Sequence, residues 1–279
     1  MLASLGKLFR YEVIGDAPVG RGGCGHIWRA KDLLFDRPVA LKTIDPPLLW
    51  SDADKAERTF RKEAIAGARL GELSNHVVRV IDLGRADETL YFAMEWIEPE
   101  AKNTGIDASA LAGNVSLARA KEILFHVSDA VQTAHRNGIV HSDIAPWNIF
   151  FDSAKRLYKL ADFGLLRIVE ATLMSRGSGS LLQGGRLDFV PPSARSDISA
   201  IGYGTDVYAL AATFRVLLEG FPRMSERFGL LSPPAVIRVK HENRDAPDAV
   251  RQLLNKFIYS YRPEQRIEEF VTMLQRVPN

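Results

Sequence analysis

His141-Ser142-Asp143-Ile144-Ala145-Pro146-Trp147-Asn148 is the segment on which the fold turns. A proline-constrained turn separates Asp143 from Asn148, and an apolar run, Ile149-Phe150-Phe151, follows. A carboxylate so placed can accept a proton from a hydroxyl or orient it, and an amide oxygen beside it can ligate Mg²⁺. Taken alone, the same residues also describe an Asp/Asn-rich turn with no chemistry. The neighbouring segments decide between the two.

Downstream, Ile149 to Phe151 and Tyr158 to Leu160 read as two short strands, and Ala161-Asp162-Phe163-Gly164 closes them. Asp162 offers a hard oxygen to Mg²⁺, and Gly164 permits a sharp backbone turn. Upstream, Val39-Ala40-Leu41-Lys42 ends an apolar strand on a lysine. Such a lysine is ordinarily a solvated edge charge, but Glu63 lies on the helical stretch that follows, and a Lys held by a Glu can ligate phosphates as a fixed point charge. Earlier still, Gly20-Arg21-Gly22-Gly23-Cys24-Gly25-His26-Ile27 lies between two strand-like runs. Glycines at this spacing let backbone N–H groups approach phosphates where a Cβ would obstruct. A dinucleotide-binding turn would need a helix after the glycines. A strand follows here, which favours a flap over a nucleotide.

The rest of the chain fits around these segments. Tyr11 to Ile14, His26 to Ala30, Pro38 to Ile44, Val77 to Leu83 and Leu90 to Trp96 read as strands. Ala53 to Leu70 reads as a helix, with Ser51 or Asp52 as N-cap and Gly71 just past its end. Glu98 to Asn114 is a polar connector or short helix. Ser116 caps a long helix through Arg136, stopped by Asn137-Gly138. Leu165 to Pro192 is Gly- and Ser-rich without periodicity, and from Thr205 onward the pattern is helical.

The chain has 279 residues, 46% hydrophobic and 25% charged, with a net charge of +2, so no basic excess argues for nucleic acid or an anionic membrane. No run approaches the roughly 18 apolar residues of a membrane span. The first ten residues make a poor secretory signal, and the lone Cys24 forms no internal disulfide; cytoplasmic exposure is the expectation. The histidines at 26, 76, 126, 135 and 241 lack metal-ligand spacing.

The order of glycine flap, VALK, helix Glu, HSDIAPWN and DFG resembles the eukaryotic-like Ser/Thr protein kinases, from about Tyr11 to Met273. The resemblance implies an α+β bilobal protein-kinase fold. Residues 1–97 would be an N-lobe of antiparallel sheet plus one helix, residues 98–279 a mainly helical C-lobe, with an ATP cleft between. It implies that Lys42 and Glu63 form an ion pair, Asp143 is the base, and Asn148 and Asp162 hold Mg²⁺. Gly20, Gly22, Gly25, Ile27, Ala40, Met94 as gatekeeper, Glu95, Ile97 and Phe150 would surround ATP, with the backbones of Glu95 and Ile97 bonding adenine. His141 and Phe163 would stack in an internal spine, and Asp206 would brace the catalytic loop. The implied partner is a protein substrate, with the chain itself a candidate acceptor.

Four positions depart from the family pattern. Ser142 replaces an Arg that docks a phosphorylated loop, so activity is expected not to need phosphorylation of residues 165–192. Ala145 replaces a Lys aimed at the γ-phosphate, Ser193 replaces the Glu that pairs with Arg266, and Arg186 stands where a Thr is usual. The Arg186 guanidinium is expected to supply the charge lost at Ala145. These changes leave two further readings open: a nucleotide-binding pseudokinase scaffold, and a small-molecule phosphotransferase like the aminoglycoside and choline kinases.

Overall fold

The structure is a computed structural model that describes residues 10–22, 25–44, 53–86, 89–98, 107–163, 186–222 and 236–279. The flap tip at Gly23 and Cys24, the proposed caps Ser51 and Asp52, Gly164 and residues 165–185 lie outside the described residues.

Six antiparallel strands make the first sheet: β1 (Tyr11–Val13), β2 (Gly20–Gly22), β3 (Gly25–Asp32), β4 (Arg37–Ile44), β5 (Val80–Ala86) and β6 (Thr89–Glu95). Their order is β1-β3-β4-β6-β5, with β2 paired to β3. The central strand, β4, is buried from Val39 to Ile44, which matches its nearly unbroken β-branched and apolar sequence. Lys42 is on this strand, directly opposite Phe92 of β6 and Ile27 of β3.

Helix α1 (Ala53–Leu73) packs on β5 and runs three residues past the expected end. Gly71 is therefore not a terminator. A Cβ there would come within 2.8 Å of the Arg79 Cα and side chain, so glycine allows the returning chain to cross the helix closely. The expected strand from Val77 is also corrected. Val77 and Val78 dock instead on Leu160, the Val78 N–H donating to the Leu160 carbonyl (2.9 Å) and the Leu160 N–H to that of His76 (2.8 Å), so β5 begins at Val80.

The second lobe is built on α2 (Leu117–Arg136). Its N-cap, Ser116, accepts from the Arg119 N–H at 3.1 Å, and Gly138 leaves the far end at φ +72°. A hairpin, β7 (Ile149–Asp152) and β8 (Leu157–Leu160), crosses this helix. Helices α3 (Pro192–Ser196), α4 (Tyr203–Glu219), α5 (Asp248–Leu254) and α6 (Ile267–Arg276) follow. Every residue of α4 from Gly204 to Leu218 is buried, so this helix is the axis of the lobe's core. The reading of everything after Thr205 as helix misses a small hairpin, β9 (Arg238–Val239) with β10 (Arg244–Asp245). Two-residue strands rich in charge carry no apolar alternation to reveal them.

Where the His76 turn meets α2 and β8, the His76 and His126 rings stack at 4.3 Å. The Tyr158 backbone fixes both: its N–H donates to His126 Nδ1 (3.1 Å) and its carbonyl faces His76 Nδ1 at 2.9 Å. Burial, then His76, lowers the His126 pKa from its ordinary 6.5, against Glu122 and Asp129 on the same helix. Burial likewise lowers that of His141. A folded pKa below the unfolded one gives stability that is complete above about pH 6.5 and is lost as pH falls toward the folded value. Thermal stability is therefore expected to decline between pH 6.5 and 5. His126→Gln should flatten that decline by removing about one of the protons taken up on unfolding. Melting curves across this range check it, and an unchanged slope would remove His126 from the account.

Candidate active site

The flap is a β2–β3 hairpin in which Gly20 faces Ile27 and Gly22 faces Gly25. At Gly25 a Cβ would meet the Thr43 carbonyl oxygen at 1.9 Å, so only glycine lets the hairpin lie this close to β4. Below it runs a cleft of about 240 Å³. Gly20, Ile27, Ala40, Met94, Glu95, Ile97, Phe150 and Asp162 all line it. Asp107 and Trp147 line it too and were not foreseen. Asp107 caps a 3₁₀ turn, Ala108–Leu111, within the stretch read only as connector.

Lys42 is 3% exposed, and its Nζ sits 2.8 Å from both Glu63 Oε1 and Asp162 Oδ1. The expected ion pair is thus a three-membered cluster. Burial alone would lower the Lys42 pKa, but Asp162 and Glu63 outweigh it and hold the ammonium charged. Burial, with Asp162 adding to it, pushes the Glu63 carboxyl well up against the pull of Lys42. The cluster holds one carboxylate more than it holds cations, and the second Glu63 oxygen is buried without a partner. A hard cation beside Asp162 would relieve that surplus.

Asp206, fully buried on α4, organises the loop beneath. Its two oxygens accept from the backbone N–H groups of His141 and Ser142, both at 2.8 Å, and His135 Nε2 lies 2.9 Å from it. This hold sustains Ser142 at φ +68°, in the left-handed region that non-glycine residues seldom adopt. Asp162 shows the same feature at φ +64°. The His141 ring is held as a neutral tautomer: Nδ1 accepts from the Asp143 N–H (3.2 Å), so Nε2–H donates to the Ala161 carbonyl (2.9 Å). Its ring meets Phe163 at 4.5 Å with the planes tilted by 56°, so the expected pair is in contact but not stacked.

Asn148 donates one amide N–H to the Asp143 carbonyl (2.7 Å) and the other to Asp143 Oδ2 (3.0 Å). Two acceptors at that atom identify it as nitrogen, which leaves the amide oxygen as the atom available to a metal. Among the described residues no group of three or more His, Cys, Asp or Glu side chains could hold a metal ion. Asp162 and Asn148 supply two hard oxygens, which suits a Mg²⁺ that completes its shell with water and phosphate.

The departures also find their places. Ala145 is fully buried in the core under the loop. Arg186 opens a 3₁₀ turn, Arg186–Phe189, and its side chain lies outside the described residues. The Arg266 guanidinium lies 5.8 Å over the Tyr203 ring, a contact with an aromatic face where a carboxylate was missing. An unanticipated ion pair braces the cleft's outer strand: buried Lys159 of β8 lies 2.6 Å from Glu95 Oε1.

A curled antiparallel sheet with one helix, closed over a helical lobe that carries the Asp143–Asn148 loop, is the bilobal kinase architecture. The chain belongs to the protein kinase domain family, whose model matches residues 14–273. It is 29% identical over 244 residues to the serine/threonine-protein kinase PrkC of Bacillus subtilis (strain 168), covering 87% of this chain and 34% of that one. It is 33% identical over 207 residues to the serine/threonine-protein kinase PknE of Mycobacterium bovis, covering 73% and 34%. The crystal structure of the Mycobacterium tuberculosis PknI kinase domain superposes with a TM-score of 0.69 over 100% of both chains at 24% identity, a likeness of fold. The chain spans about a third of the length of the curated relatives it matches. Among the described residues no helix is long and apolar enough to cross a membrane.

Proposed function

We propose that the chain transfers the γ-phosphoryl group of Mg²⁺-ATP to Ser or Thr hydroxyls of a protein, its own chain included. The observation that carries this is Lys42, held between Glu63 and Asp162, together with a loop in which Asn148 clasps Asp143. Adenine occupies the slot between Ala40, Met94 and Phe150. The Glu95 N–H already donates to the Arg79 carbonyl (3.0 Å), so the expected adenine contacts fall to the Glu95 carbonyl and the Ile97 backbone. Gly20, Gly22, Gly25 and Ile27 cover the phosphates, and Lys42 fixes the α- and β-phosphates as a point charge. Asp162 and Asn148 would hold Mg²⁺, which neutralises charge developing on the phosphates when bound. Asp143 receives or orients the acceptor hydroxyl. The lobes divide after Ile97. Incubation with labelled Mg²⁺-ATP, alone and with generic proteins, tests the reading. Label in Ser or Thr supports it, binding without transfer points to a scaffold, and label in aminoglycosides or choline points to a small-molecule enzyme.

Arg186 remains assigned by its place five residues before Pro191. Its guanidinium is read as the charge that replaces the one lost at Ala145, which is buried. Arg186→Ala is expected to slow transfer on the order of 10²–10³-fold with every acceptor, as loss of one charged donor does. A change confined to KM for one peptide would make it a substrate-groove residue.

A further inference from the structure

Trp147 stands between Pro146 and Asn148 in the 3₁₀ turn that follows the proposed base. It lines the cleft, and it meets two other aromatics that are not part of the cleft lining. Phe189, buried, meets it edge-on at 5.1 Å and 81°. Phe221 lies nearly parallel at 6.4 Å and 13°. Phe221 is 44% exposed and follows Gly220, whose N–H donates to the Val216 carbonyl at 2.8 Å at the end of α4. A single exposed aromatic needs no explanation. This one continues the wall of the cleft onto the surface, at the loop that carries Asp143.

We propose that Trp147 and Phe221 form an apolar shelf that reads a large apolar side chain beside the acceptor hydroxyl. The preferred substrates are then protein segments carrying Leu, Met or Phe close in sequence to the phosphorylated Ser or Thr. The inference rests on the protein-kinase reading and adds a substrate class to it. An apolar side chain laid on two near-parallel rings loses water on both partners, and aromatic partners add to the area term. A charged side chain there would be desolvated without a partner. The shelf meets the cleft at Trp147, so a segment whose hydroxyl reaches Asp143 runs past it.

The test uses peptides identical except for one flanking residue (Leu, Phe, Ala, Lys or Glu), with wild type, Phe221→Ser and Phe221→Glu. One arm measures kcat/KM for phosphorylation, with KM for ATP in parallel. The other measures anisotropy of labelled peptides whose acceptor Ser is replaced by Ala, which needs no transfer. Wild type should favour Leu and Phe over Ala and Glu by roughly tenfold, equivalent to about 1.4 kcal/mol. Phe221→Ser should erase that ranking with the KM for ATP unchanged, and Phe221→Glu should turn it toward Lys. Binding that follows the ranking without phosphorylation of any peptide would sink the transfer reading and keep the shelf. Phosphorylation or binding indifferent to the flanking residue would overturn the shelf and leave the transfer reading intact. A ranking that survives Phe221→Ser would also overturn it, as would a Phe221→Ser effect confined to self-association.

Discussion

Asp143→Asn is expected to lose nearly all phosphoryl transfer while binding Mg²⁺-ATP almost as wild type does. The proposed division of labour gives the reason. Asp143 meets the acceptor hydroxyl, whereas Asp162, Asn148 and Lys42 hold the nucleotide and its metal. Removing a positioned general base costs on the order of 10²–10⁴-fold, and here the asparagine also lacks the charge that orients the hydroxyl. The substitution should be quiet structurally. The bonds that define the loop run from the Asn148 amide to the Asp143 carbonyl and side-chain oxygen, and from Asp206 to the backbone of His141 and Ser142. An asparagine at 143 keeps an oxygen able to accept from Asn148, and the backbone contacts do not change. Calorimetric ATP binding beside single-turnover transfer separates the two effects. Transfer at the wild-type rate would mean the loop has been assigned wrongly.

The residues that carry this argument were legible because their chemistry fixes both identity and short spacing. Asp143 and Asn148 are five positions apart around a proline, and the structure joins them by two hydrogen bonds. Lys42 and Glu63 were legible only together: a lysine ending an apolar strand is ordinarily a solvated edge charge, and Glu63 on the following helix supplied the counter-charge that made it more. What sequence could not supply was the third partner, Asp162 at 2.8 Å from the same ammonium, because that contact closes across 120 residues of chain. The boundary errors share one cause. Gly71 reads as a helix stop by local rules, and Val77 reads as the start of a strand. Tertiary contacts with Arg79 and Leu160 override both. Lys159, within the short strand Tyr158 to Leu160, is buried on Glu95, a pairing that nothing in the local sequence marks. Asp107 and Trp147 became cleft residues only when the connector and the catalytic loop folded side by side.

Lys42→Met should damage stability as well as turnover, and the manner of its repair identifies the cause. Removing the ammonium leaves Glu63 and Asp162, which share it at 2.8 Å, facing each other in a buried site with no cation. Breaking a buried pair by deleting one partner typically costs about 3–5 kcal/mol, because the charge left behind is uncompensated. Two consequences distinguish this from simple loss of packing. The Glu63 carboxyl, already pushed up by burial, rises further once Lys42 no longer opposes it. A carboxyl whose folded pKa exceeds its unfolded value contributes stability at low pH that is lost as pH rises through the folded value. The deficit of Lys42→Met should therefore be largest at alkaline pH and shrink as pH falls and Glu63 takes up a proton. Adding Glu63→Gln removes the orphaned charge permanently, so the double variant should recover most of the stability lost at pH 10 without recovering transfer. Chemical denaturation of the wild type, both single variants and the double at pH 7 and pH 10 gives the coupling energy directly. Additive effects, or a deficit equal at both pH values, would show that Lys42 and Glu63 do not share a buried charge, and the electrostatic account of the site would fall with them.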